Sequence, residues 1–348
     1  MNNIKKVVLG LSVGDLNGIG LEIILRIFQD ARMFDFCTPV IFGSQKSVNY
    51  VKNHLNLNTH FNFTKDLEKL APNKVNVFET YSNDFTISFG EENPKIGKIA
   101  IESFTKATKA LKDDLIDVLV TAPINKHNIQ SEEFNFPGHT DYLNQELEGD
   151  SLMLLTAGNL RVGLLTDHVA IKNVATKITP DLIISKIDTI HKTLVQDFGI
   201  SKPKIAVLGL NPHTGDNGVI GEEDDVILRP TLIKIKDSGK LVYGPYSADS
   251  FFGSDTYKTF DAIIATYHDQ GLIPFKTLSF GEGVNFTAGL SKIRTSPDHG
   301  TAYEIAGKGI ANINSFNEAI FEGIKLFKNR KLYSELSQNP LKSNKRKI

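Results

Sequence analysis

Three histidines, His168, His213 and His268, each stand just beyond a short apolar run. Three neutral imidazoles can hold a divalent cation and leave coordination positions for substrate oxygens. The plain alternative for each is a loop histidine bonded to a backbone carbonyl. No H-E-x-x-H pair occurs, so any metal site must be assembled from distant segments. Lys276, Asn285 and Arg294 lie close together in sequence, with Lys292 among them, and suit a phosphate or a carboxylate, which arginine grips bidentately. His139 and Thr140, after Pro137-Gly138, add two small-ligand donors. Lys126 and Asp249 are candidates for acid/base work, although an Asp in that setting also caps loops. Two glycine-rich stretches complete the set. Gly14, Gly18 and Gly20 match neither G-x-G-x-x-G nor the Walker spacing, and read best as a tight strand-to-helix turn. Gly300, Thr301, Ala302 and Ile305 belong to a run of small residues whose backbone a flat ligand could approach.

Buried strands must carry these groups. Apolar runs at Val7 to Val13, Pro39 to Phe42, Val75 to Phe78, Leu115 to Val120, Leu152 to Leu155, Val162 to Leu165, Ile205 to Leu210 and Ala262 to Ala265 predict them. Helical patterns alternate with the runs. Ile99, Phe104, Ala107 and Leu111 share one helix face, and a helix from Pro180 to about Phe198 has Thr179 as cap and Gly199 as stop. The alternation predicts an α/β fold with a mostly parallel sheet, whose strands all end on one edge and gather the loops there. Thr121, Asp167, Asn211 and Tyr267 would all lie at that edge.

The chain has 348 residues with 39 basic and 40 acidic side chains, so no global field draws it to nucleic acid or to an anionic membrane. Its single cysteine, Cys37, excludes an intrachain disulfide and a cysteine-zinc site, and fits a cytoplasmic setting. No cleavage site follows the short apolar N-terminus, and no stretch has the length of a membrane span. Lys342, Lys345, Arg346 and Lys347 are expected on a frayed, solvated end.

Six separated motifs together resemble the 4-hydroxythreonine-4-phosphate dehydrogenases, the PdxA family of vitamin B6 synthesis. They are Thr121-Ala122-Pro123-Ile124-Asn125-Lys126, Phe136-Pro137-Gly138-His139-Thr140-Asp141, Gly209-Leu210-Asn211-Pro212-His213, Tyr267-His268-Asp269-Gln270-Gly271, Gly283-Val284-Asn285-Phe286, and Ile293-Arg294-Thr295-Ser296-Pro297-Asp298-His299-Gly300-Thr301. The resemblance runs from about Gly14 to Gly309. It implies an isocitrate/isopropylmalate dehydrogenase-like fold without a Rossmann fingerprint: two α/β domains flanking a cleft. The expected division is residues 1–128 with 300–348, and 129–299 carrying the interface of a homodimer. It implies His168, His213 and His268 as ligands of one divalent metal (Zn, Mg, Mn or Co), shared between subunits with His268 reaching into the partner's site. It implies His139, Thr140, Lys276, Asn285 and Arg294 as substrate contacts. The stretch from His299 to Asn312 is similar to a nucleotide-binding loop, for NAD or NADP.

The implied reaction oxidises 4-phosphooxy-L-threonine at C3, and decarboxylation then gives 3-amino-2-oxopropyl phosphate. Three rivals are a paralogue acting on D-threonate or D-erythronate 4-phosphate, a phosphotransferase built on the Gly14–Gly20 loop, and a non-catalytic metal-binding dimer.

Overall fold

The computed structural model describes residues 6–82 and 84–339, so the basic residues after Pro340 lie outside the described part. Among the described residues a single sheet of twelve strands runs through the molecule. In chain order these are β1 (Val7–Ser12), β2 (Cys37–Gly43), β3 (Phe61–Thr64), β4 (Val75–Glu79), β5 (Val118–Thr121), β6 (Gly149–Ala157), β7 (Leu160–Leu164), β8 (Lys204–Leu208), β9 (Leu241–Tyr246), β10 (Ala262–Ala265), β11 (Val284–Leu290) and β12 (Ile293–Pro297). Their order in the sheet is β3-β4-β2-β1-β5-β12-β11-β6-β7-β10-β8-β9.

All eight anticipated runs are strands, because each is apolar on both faces and is covered by helices. The helix Pro94–Lys112 buries Ile99, Phe104, Ala107 and Leu111. The helix Pro180–Gln196 starts as expected, with the Thr179 side chain accepting from the Leu182 N–H. Among the described residues no helix is long and apolar enough to cross a membrane.

The expectation of one common strand edge holds for the loops after β7, β8 and β10, which carry His168, His213 and His268, but is corrected for Thr121 after β5, whose wing runs in the opposite sense. β3, β4, β2, β1, β5 and β12 run parallel. β11 is antiparallel to both β12 and β6, and β6 is antiparallel to β7. β7, β10, β8 and β9 are parallel again, now in the opposite sense. The four central strands therefore invert one wing of the sheet relative to the other. A cleft forms over the face of these central strands, bounded by the end of β5 on one side and the loops after β7 and β10 on the other.

The Gly14–Gly20 turn is a packing device, as the spacing suggested. A Cβ on Gly14, whose φ is +64°, would overlap the Pro123 carbonyl, and one on Gly18 would come within 2.8 Å of the Thr301 carbonyl oxygen. Gly14→Ala should therefore cost about 3 kcal/mol, from backbone strain and displacement of the post-β5 loop. A urea melt measures it. Loss of ATP affinity at unchanged stability would instead mark the loop as a phosphate cradle.

Candidate active site

The cleft encloses about 310 Å³. Its floor is a period-two pattern on neighbouring strands: Met153 and Leu155 on β6, Asn285 on β11, and Arg294 and Ser296 on β12. The post-β5 loop brings Lys126, whose position is set by Asn125: its side-chain oxygen accepts from the His127 and Asn128 N–H groups and turns the chain. Gly138 leads into the helix His139–Glu146, which presents His139 and Thr140 at its first turn. His168, His268, Lys276 and Gly300 close the rim.

Arg294 is buried, and among the described residues no carboxylate meets it. Its Nε and one terminal nitrogen donate to Thr121 Oγ1 at 3.1 and 2.5 Å, and the other terminal nitrogen donates to Thr287 Oγ1 at 3.0 Å. His139 Nδ1, at 3.1 Å, completes the set. Burial alone pushes the Arg294 pKa down from 12.5 to about 9, the sign of a charge held at a cost. Because arginine only donates, His139 Nδ1 must accept, and the proton of the neutral ring sits on Nε2. That Nε2 is out of solvent and has no partner. Asn285 Oδ1 and His299 Nε2 are likewise buried and unpartnered in the same cleft. Three orphaned polar atoms beside an uncompensated cation describe a site shaped for a polar anion.

His139 is held well below its ordinary pKa of 6.5, first by burial and then by the charges of Arg294 and Lys126. The unfolded chain takes up a proton below about pH 6.5 where the folded one does not, so this residue's share of stability is full above that pH and shrinks below it. His139→Asn should flatten the acid limb of stability between about pH 7 and about pH 5, read from urea midpoints. Identical slopes in the two proteins would show that His139 titrates normally.

The histidine trio is divided. His168 and His268 face each other across the cleft mouth with ring centroids 6.0 Å apart, because β7 and β10 are adjacent parallel strands. Asp269 Oδ1 lies 2.7 Å from His268 Nδ1, which orients that ring and leaves Nε2 for a ligand. His213, after β8, lies outside the cleft lining. Among the described residues no three His, Cys, Asp or Glu side chains converge on one point. The chain thus sets His268 beside its own His168, whereas the resemblance assigned His268 to the partner's site. Asp249 is exposed, accepts from Ser247 Oγ at 2.6 Å, and does not line the cleft; that hydrogen bond is the main cause of its lowered pKa.

Of the expected nucleotide loop, Gly300 lines the cleft, while Thr301, Ala302 and Ile305 do not. The loop is pinned from behind. The Ile19 N–H donates to the Thr301 carbonyl at 3.0 Å, and the Tyr303 hydroxyl donates to the buried Asp15 at 2.6 Å. Sequence reasoning missed Thr287, and it did not single out His299 as a donor. A buried threonine inside an apolar strand carries no local signal.

Comparison with known proteins decides the family. A family model described as "Pyridoxal phosphate biosynthetic protein PdxA" matches residues 35–322. The chain belongs to the PdxA family. It is 45% identical over 340 residues to 4-hydroxythreonine-4-phosphate dehydrogenase of Bacteroides thetaiotaomicron, covering 97% of this chain and 93% of the relative. It is 35% identical over 325 residues to D-threonate 4-phosphate dehydrogenase of Cupriavidus necator, covering 92% and 97%. The crystal structure of 4-hydroxythreonine-4-phosphate dehydrogenase from Klebsiella pneumoniae superposes with a TM-score of 0.81 at 29% identity, over 94% of this chain and 99% of that one. The two-winged α/β architecture is the fold of this PdxA member.

Proposed function

We propose that this chain oxidises 4-phosphooxy-L-threonine at C3 with a nicotinamide cofactor and releases 3-amino-2-oxopropyl phosphate after decarboxylation, a step toward pyridoxal phosphate in the cytoplasm. The observation that carries the proposal is Arg294, a buried cation with no counter-ion among the described residues, in a cleft where three buried polar atoms, His139 Nε2, Asn285 Oδ1 and His299 Nε2, are also unpartnered. An anionic, hydroxyl-bearing substrate supplies what each of them lacks.

Arg294 and Lys276 hold charged oxygens of the substrate. Lys276 reaches the rim with its Nζ 3.1 Å from the Asp298 carbonyl. His139 donates through Nε2, and in this tautomer it cannot take a proton there. Lys126, which lines the cleft, is therefore the nearer candidate for the base that accepts the C3 hydroxyl proton, and Asp249 stands outside the lining. His168 and His268 suit one divalent ion (Zn, Mg, Mn or Co), with His213 supplied by the second copy of a homodimer. When bound, the ion polarises the C3 oxygen and the NAD or NADP accepts a hydride. The cofactor lies along Gly300, Thr301, Ala302 and Ile305 in this proposal. The division into two domains, at residues 128/129 and 299/300, is proposed on the same footing: residues from both parts line the cleft.

The test is reduction of NAD and NADP by the purified protein with 4-phosphooxy-L-threonine, D-threonate 4-phosphate and D-erythronate 4-phosphate side by side. The first should be preferred in kcat/KM by at least about a hundredfold, the discrimination expected of a site that pairs the substrate's amino group. Preference for a sugar-acid phosphate would identify the paralogous activity. Metal binding without turnover of any of them would identify a non-catalytic protein.

A further inference from the structure

The shell around Arg294 is built from hydroxyls where a carboxylate would bind more strongly. Thr121 ends β5 and Thr287 lies on β11, so the two flank β12 on either side of Arg294. Both are buried to 1% exposure or less. Thr121 Oγ1 accepts from two nitrogens of the guanidinium and Thr287 Oγ1 from the third. An Asp at either position would relieve the cost of burying the cation, and would also quench it. A neutral acceptor fixes the plane of the fork and leaves its charge for another group.

We propose that Thr121 and Thr287 are positioning residues for an anion subsite: they orient Arg294 without neutralising it, so that the cleft accepts substrates that bring their own negative charge. This rests on the reading of Arg294 as the residue that meets the substrate's anion. The anion is a phosphate or a carboxylate, and the two are separated by the probes below.

Thr287→Val keeps the shape and loses the acceptor, Thr287→Ser keeps the acceptor, and Thr287→Asp adds a charge. Each full-length variant is assayed with 4-phosphooxy-L-threonine at saturating nicotinamide cofactor. Binding of inorganic phosphate and of malonate is measured separately by calorimetry, without turnover. The Val variant should raise KM about tenfold with kcat within about threefold, the loss expected for one hydrogen bond to a charged group. The Ser variant should stay within about threefold of wild type in both constants. The Asp variant should raise KM about a hundredfold or more and lose whichever of the two probe anions the wild type binds.

Wild-type KM and anion affinity in the Asp variant overturn the proposal, and so does equal impairment of Ser and Val, which would mean that space rather than the hydroxyl matters. If the Val variant does not melt cooperatively, the Ser and Asp comparison, repeated at Thr121, decides alone. If the wild type ignores 4-phosphooxy-L-threonine yet phosphate or malonate binding falls in the order Ser, Val, Asp, the substrate assignment fails and the positioning role stands. Turnover with a KM indifferent to all three variants gives the reverse.

Discussion

Arg294→Met should lose nearly all activity while the protein without substrate remains as stable as wild type or more so. The two halves of this result have one cause. The guanidinium is buried among Thr121, Thr287 and His139 with no carboxylate among the described residues, so the unliganded protein bears its desolvation. Methionine fills similar length with apolar atoms and removes that cost. The substrate, however, loses one or two charge-assisted hydrogen bonds, each worth about 1.5–3 kcal/mol, so kcat/KM should fall about a hundredfold to a thousandfold. Arg294→Lys keeps the charge but cannot reproduce the planar fork, and it should mainly raise KM. Binding also stabilises: substrate at about a hundred times its Kd should add about 2.7 kcal/mol to the wild type and almost nothing to Arg294→Met. Kinetics and thermal melts on the same preparations measure both. A variant that is destabilised but binds substrate normally would make Arg294 a structural residue.

Chelation should abolish turnover, with recovery on adding a divalent ion, and His168→Ala and His268→Ala should each do the same with the fold intact, because both rings stand at the cleft mouth rather than in a core cluster. Elemental analysis gives the metal content independently of activity. The geometry also says which inactive variants can complement one another. His168 and His268 share one chain's cleft, and His213 does not. If a two-fold partner supplies His213, His168→Ala mixed with His213→Ala yields one intact site in each mixed dimer. Random reassortment makes about half the dimers mixed, so activity should return to about a quarter of wild type. His168→Ala mixed with His268→Ala should recover nothing, since each site then lacks one ring of the pair. Rescue in this second mixture, with mixed dimers shown by mass spectrometry, would return His268 to the partner's site. Full activity in a metal-stripped sample would dispose of the metal altogether.

Much of this protein was legible in its residues. Eight strands announced themselves because a strand buried on both faces is a continuous apolar run, and Val7–Ser12 and Ala262–Ala265 have almost nothing else. The Pro180–Gln196 helix was readable from its cap and its 3.6-residue period. Motif chemistry put Lys126, His139, Thr140, His168, His268, Lys276, Asn285 and Arg294 on one list, and the cleft collects all eight. The strands Val284–Leu290 and Ile293–Pro297 are not among the anticipated apolar runs, since their cleft-facing positions are polar and break the apolar pattern. Only the tertiary structure reversed one wing of the sheet, because strand direction depends on which strands pair and no local run encodes the partner. It left His213 out of the cleft lining although β8 ends on the same edge as β7 and β10, because the loop after β8, not the strand direction, sets where that ring goes. It also decided what Arg294 is: an arginine's type is written in the sequence, but the absence of a counter-ion around it is a property of every chain segment that packs there.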